Sequence, residues 1–131
     1  MFIRYISRIH INLNQHSVTR VKVFNYQEVT AEDAECCAAK TKVRWLIAKE
    51  TGAENFAMRL FEMAPGGYSP LHKHAAEHEV FVLEGEGLVF DGEKEKRLQV
   101  GDVVFIPPNE MHQFKNNSAT PLKFLCLISY P

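Results

Sequence analysis

From Val43 onward, short runs with strand composition alternate with glycine- and proline-marked turns. Val43 to Lys49 and Asn55 to Met63 are rich in β-branched, aromatic and long apolar residues, with Thr51-Gly52-Ala53-Glu54 as the turn between them. Pro65-Gly66-Gly67 reads as a chain break. His78 to Glu84 and Glu86 to Asp91 flank Gly85, and Asp91-Gly92 is a tight-turn pair. Arg97 to Val100, Asp102 to Ile106, Met111 to Phe114 and Leu122 to Ser129 complete the set. Short strands recurring every 8–12 residues or so predict an all-β sandwich or barrel. The one helix-like composition is Thr30 to Lys40, where Thr30 is a plausible N-cap, so a short helical turn is expected near residues 30–40. No repeat is visible, which points to a single barrel over residues 21–131. Residues 1–20 read either as an arm that swaps onto a partner subunit or as a disordered extension.

Charge narrows the function. Fifteen basic residues stand against 16 acidic ones, a net charge of −1. The basic excess that drives nucleic-acid binding is missing. No stretch approaches the ~18 apolar residues of a membrane helix, and residues 1–10 lack the continuous apolar stretch of a signal peptide. The three cysteines, Cys36, Cys37 and Cys126, form no even framework and suit reduced thiols in the cytoplasm.

Chemistry concentrates in the histidines. Of six, three fall in Gly66-Gly67-Tyr68-Ser69-Pro70-Leu71-His72-Lys73-His74-Ala75-Ala76-Glu77-His78, and His112 follows Pro107-Pro108. Imidazole is the commonest protein ligand for transition metals. His72, His74 and His78 share parity, so an extended strand would point their rings to one side. Glu77 and Glu79 have the opposite parity, yet a bulge in Ala75-Ala76-Glu77 would turn one of them inward as a rival to His78. Val80 and Val82 fall on the His78 face, with Glu79, Phe81 and Leu83 opposite. A lone histidine is more simply a satisfied surface or core group, and that reading is kept for His10 and His16. For the other four it fails, because several imidazoles buried without a shared cation would leave unpaired polar groups at about 1–3 kcal/mol each.

Two segments resemble a family pattern. Gly66-x5-His72-x-His74-x3-His78-x6-Gly85 resembles the first motif of the cupins, with His78 where glutamate is usual. Gly101-x5-Pro107-x-Asn109-x2-His112-x3-Asn116 resembles the second, with Asn109 where glycine is usual. The resemblance spans about residues 21–131 and implies a double-stranded β-helix (jelly-roll) barrel holding one divalent metal. It assigns His72, His74 and His112 to ligand positions and His78 to the fourth, which is similar to a four-histidine subgroup of small cupins. Manganese is that subgroup's usual occupant, with iron, nickel, zinc or copper as other candidates.

Four neutral ligands would leave the ion its full charge, favouring water, carboxylate, enolate or superoxide at the open positions. Arg59, in mid-strand, faces either a subunit interface or the cavity, where it would orient an anion. Phe124 and Cys126 share a strand face that in cupins borders the pocket. Tyr68 and Met63 are placed at its mouth, and Gln113 should point away. Phe61, Phe81 and Leu83 are read as outward-facing, suggesting a homodimer. The resulting expectation is a metal-dependent, dioxygenase-like oxidoreductase acting on a small organic molecule. The alternatives are a non-redox isomerase, decarboxylase or lyase, needing Glu77, Glu79 or Tyr68 as a proton shuttle, and a non-catalytic small-molecule binding or sensor module.

Overall fold

The computed structural model describes residues 20–130. They form nine strands: β1 Glu32–Asp33, β2 Ala39–Ile47, β3 Phe56–Tyr68, β4 His78–Glu84, β5 Gly87–Phe90, β6 Glu95–Leu98, β7 Val103–Ile106, β8 Gln113–Lys115 and β9 Leu122–Ser129. All belong to one sheet, whose main path runs β6-β5-β8-β3-β9-β4-β7 while β2 and β1 continue from the other edge of β3. The sheet curls on itself, because buried side chains from β3 through β9 meet in a single cluster that includes Met63, Val82, Leu98, Phe114 and Phe124. This is the all-β jelly-roll architecture expected from the sequence.

Alternation sets which side chains face inward. In β9, Leu122, Phe124, Cys126 and Ile128 are buried and the residues between them are half-exposed. In β4, His78, Val80 and Val82 are buried while Glu79, Phe81 and Leu83 are exposed. Phe124 lies stacked between Phe61 and Phe114, at ring-centroid distances of 5.3 and 4.7 Å. Each such pair adds about 0.5–1.5 kcal/mol beyond the area it buries. Phe61 therefore packs inward and is not part of an outer apolar face. Met63 is likewise fully buried in the core rather than at a mouth.

Two local expectations need correcting. No helical turn occupies residues 30–40: Glu32 and Asp33 pair with Val43 and Lys42, and Cys37 takes φ 80° in the turn that follows. Tertiary pairing has overridden a weak local preference. The helical turns lie instead at Tyr26–Glu28, capped by Asn25, and at Lys49–Thr51.

Pro65-Gly66-Gly67 does not end a strand either. β3 pairs with β9 from Phe56 to Met63, then at Tyr68 pairs with Lys115 of β8, so these three residues form the corner where one strand passes between the sheet's two halves. A β-carbon on Gly67 would come within 2.7 Å of Met63 Cγ, which explains a glycine there. Beyond the corner, Ser69 N–H donates to Phe114 O (2.9 Å), keeping the chain alongside β8 on its way to the histidines.

Candidate metal centre

The four motif histidines reach one place by different routes. His78 opens β4, where its register partners Ile106 and Ile128 lie on either side. His112 comes just before β8. The chain leaving Ser69 runs antiparallel to it, and His72 and His112 exchange both backbone hydrogen bonds, at 3.2 and 2.9 Å. Residues 73–77 are not a strand. His74 is carried by a loop whose carbonyl accepts from Asn109 N–H at 2.7 Å, and Ala76 anchors that loop against Ala48, Ala57 and Ile128. Shared strand parity is thus not what aims His72 and His74 at His78. A bend and two backbone tie points do that work.

Asn109 holds its position at φ 65°. Asparagine tolerates this left-handed conformation better than other residues bearing a β-carbon, and so fills a site where the cupin motif usually has glycine.

The rings converge. The nearest ligand nitrogens of His72, His74 and His112 all lie within 4.8 Å of one another. His78 Nε2 is 2.9 Å from His74 Nε2, and the His78 ring centroid is 5.3 Å from that of His112. Two nitrogens bound to one ion at about 2.1 Å and roughly a right angle would stand about 3 Å apart, so the 2.9 Å spacing suits adjacent ligands as well as a direct hydrogen bond. Glu77 is half-exposed and Glu79 lies on the outer face of β4; neither joins the cluster.

The surroundings of His72, His78 and His112 favour the neutral ring with its lone pair available. Burial, then the nearby Arg59, His74 and His112, pull the pKa of His78 down to about 3. Burial, then His112, His74 and Arg59, take His72 to about 4. Burial also lowers His112, against the opposing effect of the Glu110 carbonyl. That carbonyl is 2.9 Å from His112 Nδ1. With the hydrogen there, Nε2 is left as the ligand atom, the usual arrangement around a metal-bound imidazole. Leu127 O stands in the same relation to His78 Nδ1, at 3.4 Å. His74 Nδ1 is buried with no hydrogen-bond partner. A cluster of imidazole nitrogen donors fits a divalent transition metal.

Of the remaining sequence candidates, Arg59 turns inward. It is 9% exposed, with Nη2 3.3 Å from His78 Nδ1 and 3.1 Å from Cys126 Sγ. Cys126 is buried beside both. Phe124 lies deeper, in the aromatic stack. Tyr68 is exposed at the end of β3 and is not brought to the cluster. Gln113 points away, its side chain donating to Ser69 O at 2.9 Å.

Residues 59–128 match the cupin domain family. The chain belongs to that family. Over 87 residues, 63% of this cupin and 70% of the relative, it is 38% identical to an oxalate-binding protein of Thermotoga maritima. It is 35% identical over 69 residues to gentisate 1,2 dioxygenase 1 of Aquipseudomonas alcaligenes, a match covering 51% of this chain and 20% of that one. Leaving aside the oxalate-binding protein, the curated relatives it matches are spanned over 15% to 53% of their length. Among solved structures, the polyketide cyclase RemF of Streptomyces resistomycificus aligns with a TM-score of 0.79 at 32% identity, covering 84% of this cupin and 80% of that chain.

Sequence reasoning missed several residues that shape the site. Trp45 lies opposite Arg59 in the β2–β3 register and stacks on its guanidinium, 5.3 Å from ring centroid to Cζ. The Glu110 and Leu127 carbonyls that orient two of the rings carry no side-chain signal at all. Asn109 was visible as a departure from the motif, but its tie to His74 was not.

Proposed function

We propose that His72, His74, His78 and His112 bind one divalent metal ion, manganese by family resemblance, and that the site is a dioxygenase-like oxidoreductase centre for a small organic molecule. The observation that carries this reading is a cluster of four close imidazoles with no carboxylate among them. A bound ion would supply Lewis acidity and, if redox-active, a path for electrons from the organic substrate to dioxygen.

The chain's own part is to hold and shield. The Glu110 and Leu127 carbonyls fix two rings, while Val80 and Ile106 line the interior beside His78 and keep water from its buried side. Among the described residues no acid or base takes the place of a proton shuttle. Glu79 and Tyr68 are exposed and Glu77 is outside the cluster, which disfavours isomerase, decarboxylase or lyase chemistry. Residues 21–131 are proposed as the functional unit. The exposed Phe81, Leu83, Val103 and Phe105 on the outer face of β4 and β7 support a homodimer. The exposed thiols of Cys36 and Cys37 suit a reducing cytoplasm.

A second reading, oxygen-independent cyclisation in which solvent rather than a side chain moves the protons, is favoured by the likeness to the polyketide cyclase over most of both chains. One assay separates the two. Protein loaded with manganese or iron is given phenols, gentisate, 1,3-diketones and a linear poly-β-ketone while oxygen uptake and product mass are followed. The oxidoreductase reading expects oxygen consumption that stops on chelation. Turnover under nitrogen, with product isomeric to substrate, would replace it with the cyclase reading.

A further inference from the structure

Arg59 is a buried cation with no anion. Its guanidinium lies between the rings of Trp45 and Phe61, whose centroids are 5.3 and 4.9 Å from Cζ, and its Nη2 faces His78 Nδ1 and Cys126 Sγ. No carboxylate of the described residues pairs with it: the ion pairs of these residues all lie elsewhere. Its Nε is buried without a hydrogen-bond partner. An uncompensated buried charge is costly to fold around. Here it stands beside a cluster suited to a dication, which would repel it further. Aromatic faces and a thiol offset only part of that cost. The group that would complete the arrangement is negative.

His78 links Arg59 to the cluster. A neutral imidazole carries one N–H. Should Nε2 lend its lone pair to an ion, Nδ1 must carry the hydrogen, which then faces Leu127 O at 3.4 Å. The Nη2 of Arg59 would lose its acceptor on that ring and keep only Cys126 Sγ, leaving the guanidinium with its Nε hydrogen and one Nη2 hydrogen unspent. Paired donors in one plane are the geometry that recognises a carboxylate. The cluster is open to solvent at the half-exposed His72 and His74, whereas His78 and Arg59 are buried.

From this we infer that Arg59 is the anion-recognition residue of the site, and that the ligand is a small organic anion, a carboxylate or enolate engaging the histidine cluster with one end and the guanidinium with the other. The inference rests on the proposed metal centre and deepens it by naming the class of substrate.

Zinc, being diamagnetic, allows both to be tested on one sample, with oxalate as the small dicarboxylate and oxamide as its neutral counterpart. Zinc per chain is measured by elemental analysis, oxalate affinity by calorimetry, and the Nε–H signal of Arg59 by nitrogen-15 NMR. Oxalate should move that signal and oxamide should not. Arg59→Met should keep its zinc and bind oxalate about tenfold to a hundredfold more weakly, with Arg59→Lys in between. An Arg59→Met protein that binds oxalate as the parent does overturns the inference. If that variant does not fold, the parent protein decides: an Arg59 signal unmoved at saturating oxalate overturns the anion site, whatever the zinc content. Zinc content near zero sinks the metal centre alone.

Discussion

His78 and His112 differ from His72 and His74 in how they are held. His78 is the first residue of β4 and His112 immediately precedes β8, each 4% exposed with a ring nitrogen facing a backbone carbonyl. The second pair is half-exposed on a stretch with no strand of its own, fixed by the His72–His112 backbone pairing, the Asn109–His74 bond and the packing of Ala76. The sheet prepares one half of the site before any ligand arrives, whereas the other half depends on a few tie points. Preorganised ligands give up less entropy on binding, so the strand-held pair should dominate metal affinity.

The largest expected effect follows directly. His78→Gln or His112→Gln should weaken metal binding by about a hundredfold or more, and His72→Gln or His74→Gln by about tenfold, in competition titrations against a chromophoric chelator. Equal losses at all four positions would break the distinction between strand and loop.

A smaller effect probes the loop alone. Asn109→Ala keeps the backbone at φ 65° without the side chain that tolerates it, and should cost about 1–2 kcal/mol in urea unfolding. Metal affinity should fall roughly tenfold as the His74 tie loosens. Asn109→Gly should restore both. Were it no better than alanine, the left-handed backbone would not be what the position requires.

The smallest effect is a dependence on pH. His78 and His72 have pKa values of about 3 and 4 in the folded protein, against about 6.5 unfolded. Below pH ~6.5 the unfolded chain takes up protons that the fold refuses, so stability of the metal-free protein falls as pH drops toward these folded values. For His78, the more deeply buried of the two, the loss between pH 6.5 and 5 should be on the order of 1 kcal/mol. Urea midpoints at pH 7, 6 and 5 should fall less steeply in His78→Gln than in the parent, and parallel curves would contradict the assignment.

Much of this was legible in the sequence, for reasons that can be stated. Strands β4 and β9 run His78–Glu84 and Leu122–Ser129, as read, because strict alternation is fenced by Gly85 and Pro121. The gathering of four histidines followed from motif spacing, though parity was the wrong reason for His72 and His74. What could not be read depends on partners distant in sequence. Arg59 is turned inward by its register against Trp45 and Cys126, and Phe61 by its stack on Phe124. The 30–40 segment resembles a helix only until Glu32 and Asp33 find Val43 and Lys42. Residues 1–19, where the sequence left an arm or an extension and placed His10 and His16, lie outside the described residues.

X-ray absorption at the metal edge, on protein purified without added ions and then loaded with one equivalent of manganese, tests the central claim most directly. Convergence of loop and strand predicts one tightly held ion per chain whose scattering shows four imidazole rings and no sulfur. An ion with two or fewer imidazoles, or a chain that retains no ion at all, would contradict it.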